Sequence, residues 1–213
     1  MKIEGKKIFV TGIDTDIGKT TVSAVLVEAL KADYWKPIQA GDLDNSDSHK
    51  VRNMISNLET RIFPSAYELL YPMSPHASAD REGRHVDLTQ IRVPETQNTL
   101  IIEGAGGLLV PLNHEQTLAD WIPQNLQIIV VVKHYLGSIN HSLLTLEALK
   151  RRGLDILGII VNGDENPESE TIIEELSGVR ILGRVGQLKE LNKKNIASAA
   201  QNLISQENWK INE

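Results

Sequence analysis

The sequence contains no cysteine. Disulfides, cysteine-held zinc and thiol nucleophiles are therefore excluded. Aromatic residues make up only 4% of the chain, and no run of them offers a stacking platform for nucleic acid. Positive charge is also short: 22 Lys and Arg face 28 Asp and Glu, for a formal net charge of −6. Nucleic-acid binding rewards the opposite balance, and the acidity reads as plain solubility. No apolar run is long enough to cross a bilayer. Met1 to Lys7 is polar, with no basic region followed by an apolar stretch, so no secretory signal is read and cytoplasmic placement is expected. The six histidines form no His-x-x-x-His pair beside an acid, so no histidine metal site is expected.

What remains is an ordinary globular composition. The chain has 213 residues, 41% of them hydrophobic, which suits one domain spanning residues 1–213 with a sizeable core. Short apolar runs recur: Ile8-Phe9-Val10, Leu100-Ile101-Ile102, Gln127 to Val132, Ile156 to Val161 and Val179 to Leu182, with Tyr34 to Ile38 a shorter candidate. Runs apolar on both faces suit strands of a parallel sheet that is covered on both sides. Between them lie helical patterns over Thr20 to Lys31, Ser138 to Arg152 (stopped by Gly153) and Pro167 to Leu176. The alternation predicts a doubly wound α/β fold, its sheet mainly parallel with helices on both faces. Pro64 to Pro94 holds four of the eight prolines and reads as a loop-and-helix excursion without a clear strand. The polar end, Gln206 to Glu213, is expected to fray.

The most informative segment is Gly12-Ile13-Asp14-Thr15-Asp16-Ile17-Gly18-Lys19-Thr20. It follows the first strand and opens the first helix, which is the context of a phosphate-binding loop. Glycines let the backbone aim its N–H groups at phosphate, and the helix N-terminus adds positive potential. In this reading Thr15, Asp16, Ile17, Gly18, Lys19, Thr20 and Thr21 cradle the phosphates of ATP. Lys19 neutralises β- and γ-phosphate charge, and the Thr20 hydroxyl ligates Mg²⁺. The spacing departs from the common motif, with five residues rather than four between Gly12 and Gly18. Thr20, Asp47 and Glu103 are hard-oxygen groups at or beyond the ends of predicted strands, a set that suits Mg²⁺. Asp47 has a plainer reading, as part of a helix-capping turn with Ser46.

Further segments point to a family. They are Trp35-Lys36-Pro37, Asn45-Ser46-Asp47, Ser74-Pro75-His76, Glu103-Gly104-Ala105-Gly106-Gly107, Ala119-Asp120-Trp121 and Leu136-Gly137-Ser138-Ile139-Asn140-His141. In this order, with the phosphate loop, they resemble the dethiobiotin synthetases from Lys7 to about Asn162. The resemblance implies a phosphate-loop NTPase-like fold and an ATP-dependent, C–N bond-forming ligase of biotin synthesis. A carbamate of 7,8-diaminopelargonate and CO₂ is phosphorylated by ATP and then cyclised to dethiobiotin, ADP and phosphate. It implies Lys36, with Lys19, as the catalytic cations. Thr15, Lys36 and Ala40 would face the carbamate end of the substrate. Gly137, Ser138, Ile139 and Asn140 would receive the acid end from the partner subunit of a homodimer, although Ser138 or Asn140 also reads as a simple helix cap. Gly104, Ala105 and Gly106 would border the nucleotide. Asn162, Val185, Gly186 and Gln187 would meet its base.

The chain departs from the family pattern at Ile13, where Thr is frequent, at Ala40, where a hydroxyl is common, and at Gly186, where proline often stands. Two other readings remain. A partitioning-type switch ATPase carries a signature lysine five residues before the loop lysine, but here that position is Asp14. A non-catalytic nucleotide-binding subunit needs Lys19 but not Lys36, Asp47 and Glu103 together.

Overall fold

The computed structural model describes residues 5–209. In chain order its strands and helices are β1 (Lys7–Gly12), α1 (Lys19–Leu30), β2 (Asp33–Trp35), β3 (Ile38–Ala40), α2 (Asp47–Met54), β4 (Ile62–Phe63), β5 (Tyr67–Leu69), α3 (Pro75–Arg81), β6 (Leu100–Glu103), α4 (Leu118–Trp121), β7 (Gln127–Val132), α5 (Ser138–Arg151), β8 (Asp155–Asn162), α6 (Pro167–Ser177), β9 (Ile181–Val185) and α7 (Lys193–Ser205). Seven strands form one sheet in the order β4-β2-β6-β1-β7-β8-β9, and every pairing in it is parallel.

The apolar runs explain the sheet. Ile8, Phe9, Val10, Ile101, Ile102, Ile128, Ile129 and Ile159 are fully buried. Burying each such side chain contributes about 1.5–3 kcal/mol, and strands that hide both faces cannot sit at a solvated surface. The helices pack on one another in two groups, α1 with α2 and α7, and α5 with α6. The sheet order reverses at β1, which lies between β6 and β7. A crevice opens at the carboxyl ends of the strands at such a switch point, and the loop after β1 lies there.

The Tyr34–Ile38 run is not one strand. It divides at Lys36-Pro37: β2 stays in the main sheet, while β3 pairs in parallel with β5 in a separate two-stranded sheet. Pro37 has no N–H to extend the ladder, so the chain leaves the sheet there. Its carbonyl instead accepts from Ala66 N and Tyr67 N at 2.8 and 3.1 Å. The Pro64–Pro94 segment therefore does hold a strand, β5, as well as α3. Three residues with a single parallel partner leave little periodicity to read.

Helix α7 carries Ile196, Ala199, Ala200 and Leu203 on its buried face, at helical spacing, and packs against α1. Gly153 stops α5 as expected, with φ +66° just beyond the helix. The chain end is better tied than its polarity suggests. The Gln206 side chain accepts from Arg184 N at 2.8 Å and donates to Arg184 O at 2.9 Å, which anchors it to β9. Residues 210–213 and 1–4, at the polar ends, lie outside the described residues. Among those described, no helix is long and apolar enough to cross a membrane, and no group of three or more His, Asp and Glu could hold a metal.

Candidate active site

The loop between β1 and α1 is held by its own backbone and by β8. Asp16 and Gly18 both adopt left-handed backbone, with φ +57° and +89°. Gly18 is required on a second count, since a Cβ there would lie 2.0 Å from Asn162 Nδ2. Asn162 ends β8 and donates from Nδ2 to Ile17 O at 2.8 Å, so it clamps the loop as well as lining the cleft beside it. Gly18→Ala combines left-handed strain of about 1–2 kcal/mol with that collision. Calorimetry should find ATP binding weakened at least about tenfold, and the same strain and collision should lower the melting temperature, by roughly 2–4 °C per kcal/mol.

Lys19 begins α1 and is largely buried. Its Nζ donates to Asp14 O at 2.8 Å and makes no ion pair among the described residues. Burial first, and the charge of Lys36 second, push its pKa down to about 8. An ammonium so placed lacks an anion, and phosphate would supply one.

Beside it lies a buried polar cluster. Glu103 ends β6 with no exposed surface. Its Oε1 accepts from Thr20 Oγ1 at 2.8 Å and from Lys36 Nζ at 3.1 Å, while Oε2 accepts from Tyr34 OH at 2.9 Å. Lys36 also donates to Gly104 O at 3.2 Å and lies 2.7 Å from Asp47 Oδ2. The Lys36 ammonium is thus buried between two carboxylates. Burial opposes its charge, but Glu103 and then Asp47 outweigh burial and raise its pKa. For Asp47, burial opposes ionisation, yet the charge of Lys36 and its hydrogen bond hold the carboxyl below the usual range. Burial, then the charge of Glu103, raise the Tyr34 phenol well above its ordinary value.

The capping turn read at Ser46-Asp47 is present. Ser46 caps α2 by accepting from His49 N at 3.3 Å, and Asp47, the first residue of that helix, faces Lys36. Its backbone N donates to Gln39 Oε1 at 3.2 Å, which ties α2 to β3.

Two of the clefts beside the phosphate loop hold most of the expected site residues. One, of about 490 Å³, is lined by Thr15, Asp16, Lys36, Ala40, Ala105 and Gly106 among others. The second, of about 470 Å³, is lined by Thr21, Asn162, Gly186 and Gln187, with His134 and Asn166 on its wall. Val185 is buried behind it and accepts from Gly163 N at 2.8 Å. Gly137, Ser138, Ile139 and Asn140 line neither cleft. They open α5, whose cap residue is Gly137 with φ +103° and no side-chain cap bond. The expected capping by Ser138 or Asn140 is therefore absent. Ser138 is turned inward and buried, and the positive φ at the cap position calls for glycine.

Sequence reasoning missed several residues here. Tyr34 was read only as strand. Lys50, on α2, bridges Asp42 at 2.8 Å and Asp47 at 3.8 Å on the rim of the first cleft. Glu170, on α6, ties the second cleft together. It accepts from Arg184 Nη1 and Nη2 at 2.7 and 2.6 Å, from Asn166 N at 3.0 Å, and pairs with His134 Nε2 at 2.9 Å. The pairings of Tyr34 with Glu103 and of Glu170 with Arg184 and His134 join residues far apart in sequence, so no motif announces them. Because one carboxylate holds both His134 and Asn166 on the wall of that cleft, Glu170→Gln should raise the KM for ATP about three- to tenfold with kcat nearly unchanged, read from steady-state kinetics.

Comparison with known proteins fits this site. A family model described as an AAA domain matches residues 6–195. A protein of Christiangramia forsetii named ATP-dependent dethiobiotin synthetase is 55% identical over 180 residues, covering 84% of this chain and 87% of the relative. One of the same name from Cytophaga hutchinsonii is 47% identical over 206 residues, covering 96% and 98%. Among solved structures, the MinC:MinD cell division protein complex of Aquifex aeolicus aligns with TM-score 0.58 at 14% identity, covering 95% of this chain and 96% of that one. A ParA family ATPase of Chlorobium tepidum aligns with TM-score 0.56 at 15% identity, covering 94% and 92%. At that identity the two structures show the fold alone. The curated relatives carry the assignment: this chain belongs to the ATP-dependent dethiobiotin synthetase family.

Proposed function

We propose that this chain catalyses the ATP-dependent closure of the ureido ring of dethiobiotin from 7,8-diaminopelargonate and CO₂. The observation that carries this reading is the Lys36 ammonium, buried between Asp47 at 2.7 Å and Glu103 at 3.1 Å where the phosphate loop meets a cleft of about 490 Å³. A cation there can serve an anion made from CO₂ and the phosphoryl group that the anion receives.

The chemistry runs in three steps. One substrate amine adds to CO₂ and loses a proton, giving a carbamate. A carbamate oxygen attacks the γ-phosphorus of ATP, and ADP leaves. The second amine attacks the carbonyl of the carbamic–phosphoric anhydride, phosphate leaves, and the ring is closed. Phosphoryl transfer needs neutralised charge and alignment more than covalent help. Lys19 neutralises oxygens of the transferring phosphate. Lys36 orients the carbamate and meets charge that develops as the phosphoryl group moves. Thr15 and Asp16, on the wall of the same cleft, contact the carbamate and an amine. Ala40 lines the cleft without a hydroxyl, so its contact is limited to the backbone. The base of ATP lies in the second cleft, against Asn162, Gly186 and Gln187.

The residues present also fit Mg²⁺. Thr20 and Glu103 lie 2.8 Å apart, Lys36 joins Glu103 to Asp47, and Thr20, Asp47 and Glu103 all offer hard oxygens. Bound by Thr20, Asp47 and Glu103, Mg²⁺ would neutralise β- and γ-phosphate oxygens.

The proposed working form is a homodimer. The N–H groups opening α5 carry no side-chain cap, and Leu136, Ile139 and Leu144 stand exposed beside them. In a dimer that helix end receives the substrate carboxylate held mainly by the partner subunit. Placement in the cytoplasm, where ATP and bicarbonate are at hand, completes the reading.

The test supplies purified protein with ATP, Mg²⁺, ¹³C-bicarbonate and 7,8-diaminopelargonate. Dethiobiotin carrying one ¹³C, detected by mass spectrometry, supports the reading. Its absence while ATP is hydrolysed would overturn it in favour of a switch ATPase.

A further inference from the structure

Glu103 is placed by a residue that the reaction itself does not call for. Its carboxylate has no exposed surface, and its two oxygens have different partners. Oε1 faces the site, accepting from Thr20 at 2.8 Å and Lys36 at 3.1 Å. Oε2 faces the fold and accepts from Tyr34 OH at 2.9 Å. Tyr34 is itself fully buried, in β2, the strand paired directly beside β6. The register sets Tyr34 opposite Ile101 and Trp35 opposite Ile102, so the phenol reaches along the sheet to the strand end where Glu103 sits.

The terminal torsion of a glutamate side chain is broad and roughly two-fold, so nothing within Glu103 fixes the plane of its carboxylate. Without a donor at Oε2 that oxygen is buried and unsatisfied. The nearest remedy is rotation, which would turn both oxygens toward the Lys36 ammonium. Lys36 would then be drawn from Asp47, and the oxygen facing Thr20 would be lost.

We propose that Tyr34 is a positioning residue: its hydroxyl fixes the plane of the Glu103 carboxylate, so that Oε1 alone is presented to Thr20, Lys36 and the divalent cation that accompanies the nucleotide. The proposal rests on the reading of Glu103 as a cation ligand. Tyr34 touches neither substrate nor nucleotide in this account and acts through Glu103.

The experiment compares wild type with Tyr34→Phe, which keeps the ring and its packing. ADP binding is measured by calorimetry with and without Mg²⁺, so that the readout is the gain in affinity that Mg²⁺ confers. Expected is a roughly tenfold loss of that gain, with Mg²⁺-free ADP affinity unchanged and kcat lowered to a similar degree. Tyr34→Met, which also removes the ring, should lose the same gain while melting at a lower temperature. An unchanged gain in Tyr34→Phe beside a lowered melting temperature would assign the hydrogen bond to the fold alone and overturn the proposal. Failure of both variants to fold would do the same. Absence of any Mg²⁺ gain in the wild type would instead overturn the cation reading of Glu103, and this inference with it.

Discussion

Lys36→Ala should lower dethiobiotin formation about 1000-fold while leaving ATP binding nearly intact. Removing one donor aimed at developing charge costs about 10²–10³ in turnover in comparable sites. Lys36 belongs at the upper end, because its ammonium serves the carbamate in the ground state and the phosphoryl group in transit. The change has a second, separable effect on stability. Lys36 sits 2.7 Å from Asp47 and 3.1 Å from Glu103, and Glu103 has no exposed surface. Taking away the shared cation leaves buried carboxylates uncompensated, which costs about 3–5 kcal/mol when no proton is taken up. The variant should therefore melt lower at neutral pH and recover part of the difference as the pH falls, because protonation removes the unpaired charge. Thermal melts across pH, beside turnover measured well below the melting point, separate the two effects.

The affinity for ATP should fall with rising pH from about 8 upward, by up to about tenfold per pH unit. The cause is Lys19, whose pKa in the free protein is lowered from 10.5 to about 8 by burial and by Lys36. Below that value the lysine carries its charge and meets the phosphates directly. Above it the free protein has lost the proton, and binding must recover one, because phosphate raises the pKa again. ATP is fully ionised over this range, so the trend belongs to the protein. The sign for stability is opposite. An unfolded chain binds this proton up to pH 10.5, so the free protein gains stability between about 8 and 10.5. At pH 7 the shift corresponds to about 3 kcal/mol of unfavourable burial that an anion relieves. Titration calorimetry in two buffers of different ionisation enthalpy would register the proton taken up. Affinity flat from pH 7 to 10 would contradict this account of Lys19.

The parts of this molecule that sequence makes legible are those in which neighbours along the chain do the work. The phosphate loop lies between β1 and α1 as its residue order requires, and β7 and β8 follow from unbroken Ile and Val runs. Glu103 was legible too, as an acid at the end of a buried strand facing a glycine-rich turn. The remainder depends on contacts between distant residues. Lys36-Pro37 divides what reads as one strand, because Pro37 hands its carbonyl to residues 66 and 67 rather than to the main sheet. Tyr34 meets Glu103 across two strands, and Glu170 on α6 meets Arg184 on β9 and His134 beyond β7. Helix α7 is a different case, since the spacing of Ile196, Ala199, Ala200 and Leu203 is present in the sequence for a periodicity count to find.

The most direct test of the central claim sets wild type and Lys36→Ala side by side with ATP, Mg²⁺, bicarbonate and 7,8-diaminopelargonate, and follows dethiobiotin and ADP together. The account predicts equal amounts of the two products from the wild type, and almost no dethiobiotin from a variant that still binds ATP. Dethiobiotin formed at similar rates by both proteins would contradict the role given to Lys36. ADP without dethiobiotin from the wild type would contradict the reaction itself.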